Sequence, residues 1–203
     1  MTDAARTGHA VIVWGWSGSA LELESGDLHV VVPFQGGALV AVIDGLGHGP
    51  EAAAAASAAV PVLEAHASDS VLVLMQRCHD ALRGTRGAVM SLASFRTDES
   101  SMTWLGIGNV DGVLFHGNGE LAAGIGARGG VVGYQIPTLR TNTVQVSPGD
   151  TLIMATDGIR SEFTAELAID HEPQAIADAI LLGFAKRSDD AHVVVARYAG
   201  GRR

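Results

Sequence analysis

LHVVVPFQGGALVAVIDGLGHG, residues 28–49, decides the fold. Two apolar runs, Leu28–Gln35 and Ala38–Ile43, flank Gly36-Gly37. Two glycines between such runs predict a tight hairpin, because both central residues can take positive φ. A Gly36-Gly37 loop sets Asp44 opposite His29 and puts Asp27 and Asp44 at one end of the ladder, on neighbouring diagonal positions. The second run ends in Asp44-Gly45-Leu46-Gly47-His48-Gly49. A carboxylate flanked by glycine at a strand end is held rigidly at the sheet rim, where a hard cation can reach it.

Two further acidic turns repeat this arrangement. Asp157-Gly158 follows the apolar run Thr151–Thr156, and Ser188-Asp189-Asp190 precedes Ala191–Tyr198. Carboxylates so far apart in sequence predict one oxygen-rich site assembled by folding. Asp44 and Asp157 end their strands and Asp189 begins one, so an antiparallel last strand brings all three to one rim.

Around these turns the pattern predicts a first strand at Val11–Trp16. An alanine-rich helix opens at Pro50-Glu51 and runs to about His66, with proline at its first position. A second helix, about Asp69–Arg83, carries the stripe Val71, Leu74, Met75, Cys78 and Leu82. Strands follow at Ala88–Arg96, Met102–Gly106, Val110–His116, Val131–Ile136, Thr143–Val146 and Thr151–Thr156. Pro173 starts a helix whose apolar face holds Ile176, Ala177, Ile180, Leu181 and Phe184, and Ala191–Tyr198 is apolar on both faces, as a central strand is. Sheet runs with helices in separate pairs predict an α+β layered sandwich.

Composition narrows the function. The chain has 203 residues, which predicts one compact domain over 1–203. A net charge of −9 argues against nucleic-acid or anionic-membrane partners but leaves a phosphoprotein substrate open if metal ions supply local positive charge. The lone cysteine, Cys78, rules out an internal disulfide and a cysteine-cluster zinc site, and its place in the helical stripe marks it as core. There is no secretory start, and Ala52–Leu63 is too short to span a bilayer, so the expectation is a cytoplasmic protein. Without coiled-coil heptads, a monomer is the default.

Together the motifs Gly26-Asp27, Asp44-Gly45-Leu46-Gly47-His48-Gly49, Thr85-Arg86-Gly87, Gly106-Ile107-Gly108-Asn109-Val110, Ala155-Thr156-Asp157-Gly158-Ile159 and Asp189-Asp190-Ala191 resemble the metal-dependent serine/threonine phosphatases (the PPM family). More narrowly they resemble its SpoIIE-like branch and the RsbX-type stressosome phosphatases. The resemblance spans about Gly15 to Tyr198. It implies a four-layer αββα sandwich, two antiparallel sheets flanked by helix pairs, with two divalent ions, Mn2+ or Mg2+, at one end. By that resemblance Asp44 bridges both ions and the Gly45 carbonyl binds one. Asp157 and Asp189 bind the second, and Asp27 sits beside the first through water. Asp190 belongs to the metal site by the same resemblance, behind the direct ligands, at a position that can exchange roles with Asp189. Asp44, Asp157 and Asp189 are the catalytic set. The resemblance also implies phosphorylated STAS-domain stressosome proteins as substrates, whose dephosphorylation resets a stress-signalling module.

Two other functions stay open: a non-catalytic phosphoprotein-binding module of the same fold, and a phosphatase for a small phosphorylated metabolite. His48 lies four residues after Asp44, and a loop role is expected over a general-acid role. His192 is expected to be a packed, hydrogen-bonded residue. Arg86 and Arg128 are candidate phosphate ligands by charge alone. Asn109 faces the site or forms an ordinary turn, and Asp111-Gly112 is read as a plain turn. Gly124–Gly129 matches a dinucleotide fingerprint but no helix follows it. Gly15-Trp16-Ser17-Gly18-Ser19 lacks the last glycine of a nucleophile elbow.

Overall fold

The computed structural model describes residues 11–201. Within them the elements run β1 (Ile12–Ser19), β2 (Asp27–Phe34), β3 (Gly37–Gly45), α1 (Pro50–Ala65), α2 (Val71–Ala81), β4 (Ala88–Arg96), β5 (Ser101–Ile107), β6 (Asp111–Phe115), β7 (Leu121–Ile125), β8 (Asn142–Gln145), β9 (Thr151–Ala155), α3 (Phe163–Glu166), α4 (Pro173–Phe184) and β10 (Ala191–Tyr198). The strands form two antiparallel sheets, ordered β1-β10-β9-β6-β7 and β2-β3-β4-β5-β8.

β3 and β10 are apolar on both faces because each sheet is covered twice. Leu39, Ile43 and Leu92 pack outward against Leu63, Leu74 and Cys78 of α1 and α2. Val193 and Val195 pack outward against Ile176, Ala177 and Ile180 of α4. Val40, Val42, Met154, Val194 and Ala196 fill the space between the sheets. The result is the αββα sandwich that the resemblance implies. In α1 the buried side chains facing the sheet are mainly alanines, Ala52, Ala55, Ala56 and Ala59, so the helix lies close on β2 and β3. Ser70 caps α2, its hydroxyl accepting from the Val73 N–H at 3.4 Å.

The hairpin differs from expectation in register. Phe34 pairs with Gly37 and Asp27 with Asp44, so Gln35-Gly36 makes the turn. Only Gly36 takes positive φ, at 79°. Gly37 is already in the strand, and a Cβ there would lie 2.3 Å from the Phe95 carbonyl oxygen and 2.4 Å from the Phe34 ring. Its missing side chain therefore serves close packing. The shift is two residues, so every side chain keeps its face while Asp44 moves from opposite His29 to directly opposite Asp27.

Val131–Ile136 is not a strand. Gly130 and Gly133 at positive φ fold it into a loop held by the bridges Ala88↔Val132 and Val131↔Gln135. The strand in this part of the chain is β7, Leu121–Ile125, at the sheet edge beside β6. Its small residues carry no β-branched run for a sequence pattern to find.

Candidate active site

The acid rim is built where both sheets end. Asp27 and Asp44 close the β2–β3 ladder, and Asp157 follows β9. Asp189 and Asp190 lead into β10, which runs antiparallel to β9. Thr156 ties the sheets together at this level. Its hydroxyl donates to Asp27 Oδ2 at 2.7 Å and accepts from the His192 N–H at 3.0 Å. Its own N–H donates to the His192 carbonyl at 3.0 Å.

The turns Asp44-Gly45 and Asp157-Gly158 each pack against a backbone carbonyl because their second residues lack a side chain. A Cβ on Gly158 would lie 1.8 Å from the Asp190 carbonyl oxygen. One on Gly45 would lie 2.1 Å from the Ala52 carbonyl oxygen, in the first turn of α1. Neither glycine takes positive φ, so close approach is what they supply.

The rim carries concentrated negative charge. Burial first, then the charges of Asp190, Asp189 and Asp157, push the Asp27 carboxyl up to about 7, against an opposing hydrogen bond from Thr156. Asp44 is pushed up to about 8 by burial, followed by the charges of Asp27, Asp157, Asp189 and Asp190. Among the described residues no Lys, Arg or His nitrogen lies within 4.0 Å of these carboxylates. Partly buried, uncompensated carboxylates beside a glycine carbonyl are a donor set for a hard divalent cation. Among the described residues no three His, Cys, Asp or Glu side chains close tightly on one point. Magnesium-like ions suit such a rim, since they take one or two carboxylates and keep several waters.

Asp190 stands apart from the other four. Its Oδ1 accepts from the Leu21 N–H and its Oδ2 from the Gly26 N–H, both at 2.7 Å. With both oxygens engaged, it clasps the two ends of the connection between β1 and β2, which agrees with a place behind the direct ligands; the backbone partners themselves were not legible in the sequence.

Three more residues join the rim. The Asn109 amide donates to Asp157 Oδ2 at 2.6 Å, which settles its turn as site-facing. Asp111, expected as a plain turn, begins β6 opposite Ala155, and burial together with the Asp157 charge raises its carboxyl. Lys186 Nζ donates to the Asp157 carbonyl, and its N–H donates to the Gly158 carbonyl at 2.7 Å. Lys186 is the only lysine in the chain, and that rarity two residues before Ser188-Asp189-Asp190 was the available signal.

The remaining candidates have other partners. His48 Nδ1 meets Glu22 Oε1 at 2.5 Å on the exposed loop. Arg86 is paired with Glu51 beside Gly47, and Arg128 is exposed, its backbone bonded to Gly106 and Gly108. His192 is buried, as expected for a packed residue. Its Nε2 shares a hydrogen bond with His29 Nδ1 at 2.9 Å, and its ring stacks on Trp16 at 5.2 Å. Burial pushes His29 down to about 4, and burial with the His29 charge pushes His192 down to about 3. Both rings are therefore neutral near pH 7.

Known proteins share this fold. The profile of the family described as Stage II sporulation protein E (SpoIIE) matches residues 35–199. The chain belongs to the SpoIIE family. It is 27% identical over 153 residues to phosphoserine phosphatase RsbX of Bacillus subtilis (strain 168), covering 75% of this chain and 76% of that protein. A structure from work on the bacterial stressosome as a modular system controlling secondary messenger signalling superposes with TM-score 0.85 at 30% identity, over 92% of this chain and 99% of the other. RsbX in complex with magnesium superposes with TM-score 0.81 at 22% identity, over 93% and 96%. The SpoIIE-family chain is thus a PP2C-type enzyme, of the metal-dependent serine/threonine protein phosphatase class.

Proposed function

We propose that the chain hydrolyses phosphoserine or phosphothreonine on proteins by means of two divalent cations, manganese or magnesium, held at the acid rim. Asp44 would contact both ions and the Gly45 carbonyl one of them, Asp157 and Asp189 the second, with Asp27 beside the first through water. The observation that carries this reading is the cross-strand pairing of Asp27 with Asp44 next to Asp157 and Asp189, with no ion pair to any of these carboxylates among the described residues. When bound, such an ion pair supplies an activated water and neutralises charge on the transferring phosphoryl group. Phosphate monoesters need that help, with required accelerations of up to about 10²¹-fold.

The chain's own residues do the positioning. Thr156 fixes one oxygen of Asp27, Asn109 fixes one of Asp157, and the Asp190 clasp holds the β1–β2 connection beside them. Lys186 anchors the backbone of the Asp157 turn. No cysteine or serine nucleophile is required, in keeping with Cys78 lying buried between α2 and the sheet.

The substrates we propose are phosphorylated STAS-domain proteins of a stressosome, and the setting is the cytoplasm. The similarity to RsbX and to the stressosome-related structure supports both. The test is hydrolysis of p-nitrophenyl phosphate with manganese, abolished by chelator and in Asp44→Asn, followed by comparison of phosphorylated STAS proteins with small phosphorylated metabolites. Preference for a metabolite would overturn the substrate assignment. A wild-type protein that binds phosphoproteins yet hydrolyses neither them nor the ester would overturn the catalytic one.

A further inference from the structure

A groove of about 770 Å³ opens beside the acid rim. The end of β1, the connection into β2 and the second half of α4 form its walls, and Asp189 also lines it. That volume lies within the span of ligand-enclosing sites. Leu21 and Leu182 supply apolar contact, and Leu182 is 92% exposed on a helix whose opposite face is buried. Single exposed leucines are ordinary, but two beside one groove leading to a carboxylate cluster form a shaped surface.

The groove also carries the chain's sole lysine and its neighbour, Lys186-Arg187, the only basic dipeptide among the described residues of a protein with net charge −9. Lys186 is fixed to the Asp157–Gly158 backbone. Among the described residues Arg187 is exposed and makes no side-chain hydrogen bond or ion pair. Asp178, on the same wall, accepts from Gln174 Nε2 at 3.0 Å. An acidic surface repels an acidic segment elsewhere, so a local basic pair beside the rim selects where such a segment lies.

We propose that this groove docks the polypeptide flanking the phosphorylated residue. Acidic side chains of that segment meet Lys186 and Arg187, and an apolar one rests against Leu21 and Leu182. The proposal rests on the phosphatase reading, because it takes the acid rim as the place where the phosphate is held. It adds a substrate class to that reading: phosphoserine or phosphothreonine in an acidic sequence.

The test uses p-nitrophenyl phosphate and two labelled phosphoserine peptides, one flanked by Asp and Glu and one by Ser and Ala, with Arg187→Glu and Leu182→Asp. With manganese, the wild type should prefer the acidic peptide in kcat/KM. Each variant should lower that value about fivefold or more, through KM, and leave ester hydrolysis unchanged. The Arg187→Glu effect should fade at high salt. Anisotropy of the acidic peptide on metal-free protein should report the same weakening. No peptide preference in the wild type, variants that match it, or ester hydrolysis that slows in step with the peptide would each overturn the proposal. If the wild type hydrolyses nothing but binds the acidic peptide in an Arg187-dependent way, the phosphatase reading fails and the groove stands.

Discussion

Asp27 lies directly opposite Asp44 across the terminal rung of the β2–β3 ladder, and its charge adds to burial in pushing the Asp44 carboxyl up to about 8. Like charges opposite each other destabilise a sheet. Here they stand where the proposed cations would relieve them.

This pairing gives the metal-free protein a distinctive pH dependence. Asp27 and Asp44 ordinarily titrate at 3.8 but reach about 7 and about 8 in the fold. The folded state therefore keeps protons the unfolded chain has released, and stability present at low pH is lost as pH rises through those values. His29 and His192 act oppositely, pushed down from 6.5 to about 4 and about 3, so they favour the fold as pH rises to 6.5 and add nothing above it. The window from pH 6.5 to 8 isolates the carboxyls. With chelator, the unfolding free energy from urea titration should fall there by up to about 1.4 kcal/mol per pH unit for each carboxyl still protonated. In Asp44→Asn the decline should stop near pH 7, and manganese should flatten it in the wild type.

Thr156 connects the two sheets through one hydroxyl, donating to Asp27 and accepting from the His192 N–H. Thr156→Val keeps the shape but leaves both partners unsatisfied in a buried place. Unfolding free energy should drop by about 1–3 kcal/mol. Manganese affinity, read by calorimetry, should weaken about 10–100-fold, as for other residues that orient ligands. Thr156→Ser, which retains the hydroxyl, should recover most of both. A valine variant with wild-type metal affinity would show that Asp27 needs no such support.

Sequence legibility followed how each element is buried. β4 and β10 were readable to the residue because central strands covered on both faces are mostly apolar along their whole length. β7 was not, since Leu121–Ile125 is an edge strand of small residues with little pattern to show. The hairpin was legible but its register was not: a glycine needed for positive φ and one needed for close packing look alike in sequence, and Gly36-Gly37 is one of each. At the rim, Asp44, Asp157 and Asp189 were flagged by acidic turns at strand ends, and Asp27 by its place at the end of the hairpin ladder. Asp190, Asn109, Asp111 and Lys186 take their roles from contacts across more than one element, and local pattern carries no record of those.

The Asp190 clasp separates a structural role from metal ligation. Both oxygens accept backbone N–H groups at 2.7 Å, from residues at the two ends of the β1–β2 connection. Asp190→Ala should cost roughly 3 kcal/mol, because hydrogen bonds to a charged acceptor are the stronger kind. Asp190→Asn keeps one oxygen and should cost less. Amide exchange at Leu21 and Gly26 should accelerate in both variants, more in alanine. Unchanged exchange together with lost manganese affinity would return Asp190 to the ligand set.

Gly45 tests whether the rim depends on the seating of α1. Its φ is not in the left-handed region, so alanine meets no backbone strain there. The added Cβ would instead lie 2.1 Å from the Ala52 carbonyl oxygen, a backbone atom with no rotamer to move. Either α1 lifts or the end of β3 shifts, and both displace Asp44 relative to Asp157. Gly45→Ala should therefore lower unfolding free energy by about 3 kcal/mol and weaken manganese binding together. Gly126→Ala is the control: a Cβ there has no atom within 4 Å, and the change should stay within about 0.5 kcal/mol. If Gly45→Ala matched that control in urea denaturation, the close contact between strand end and helix start would not be what holds Asp44 in place.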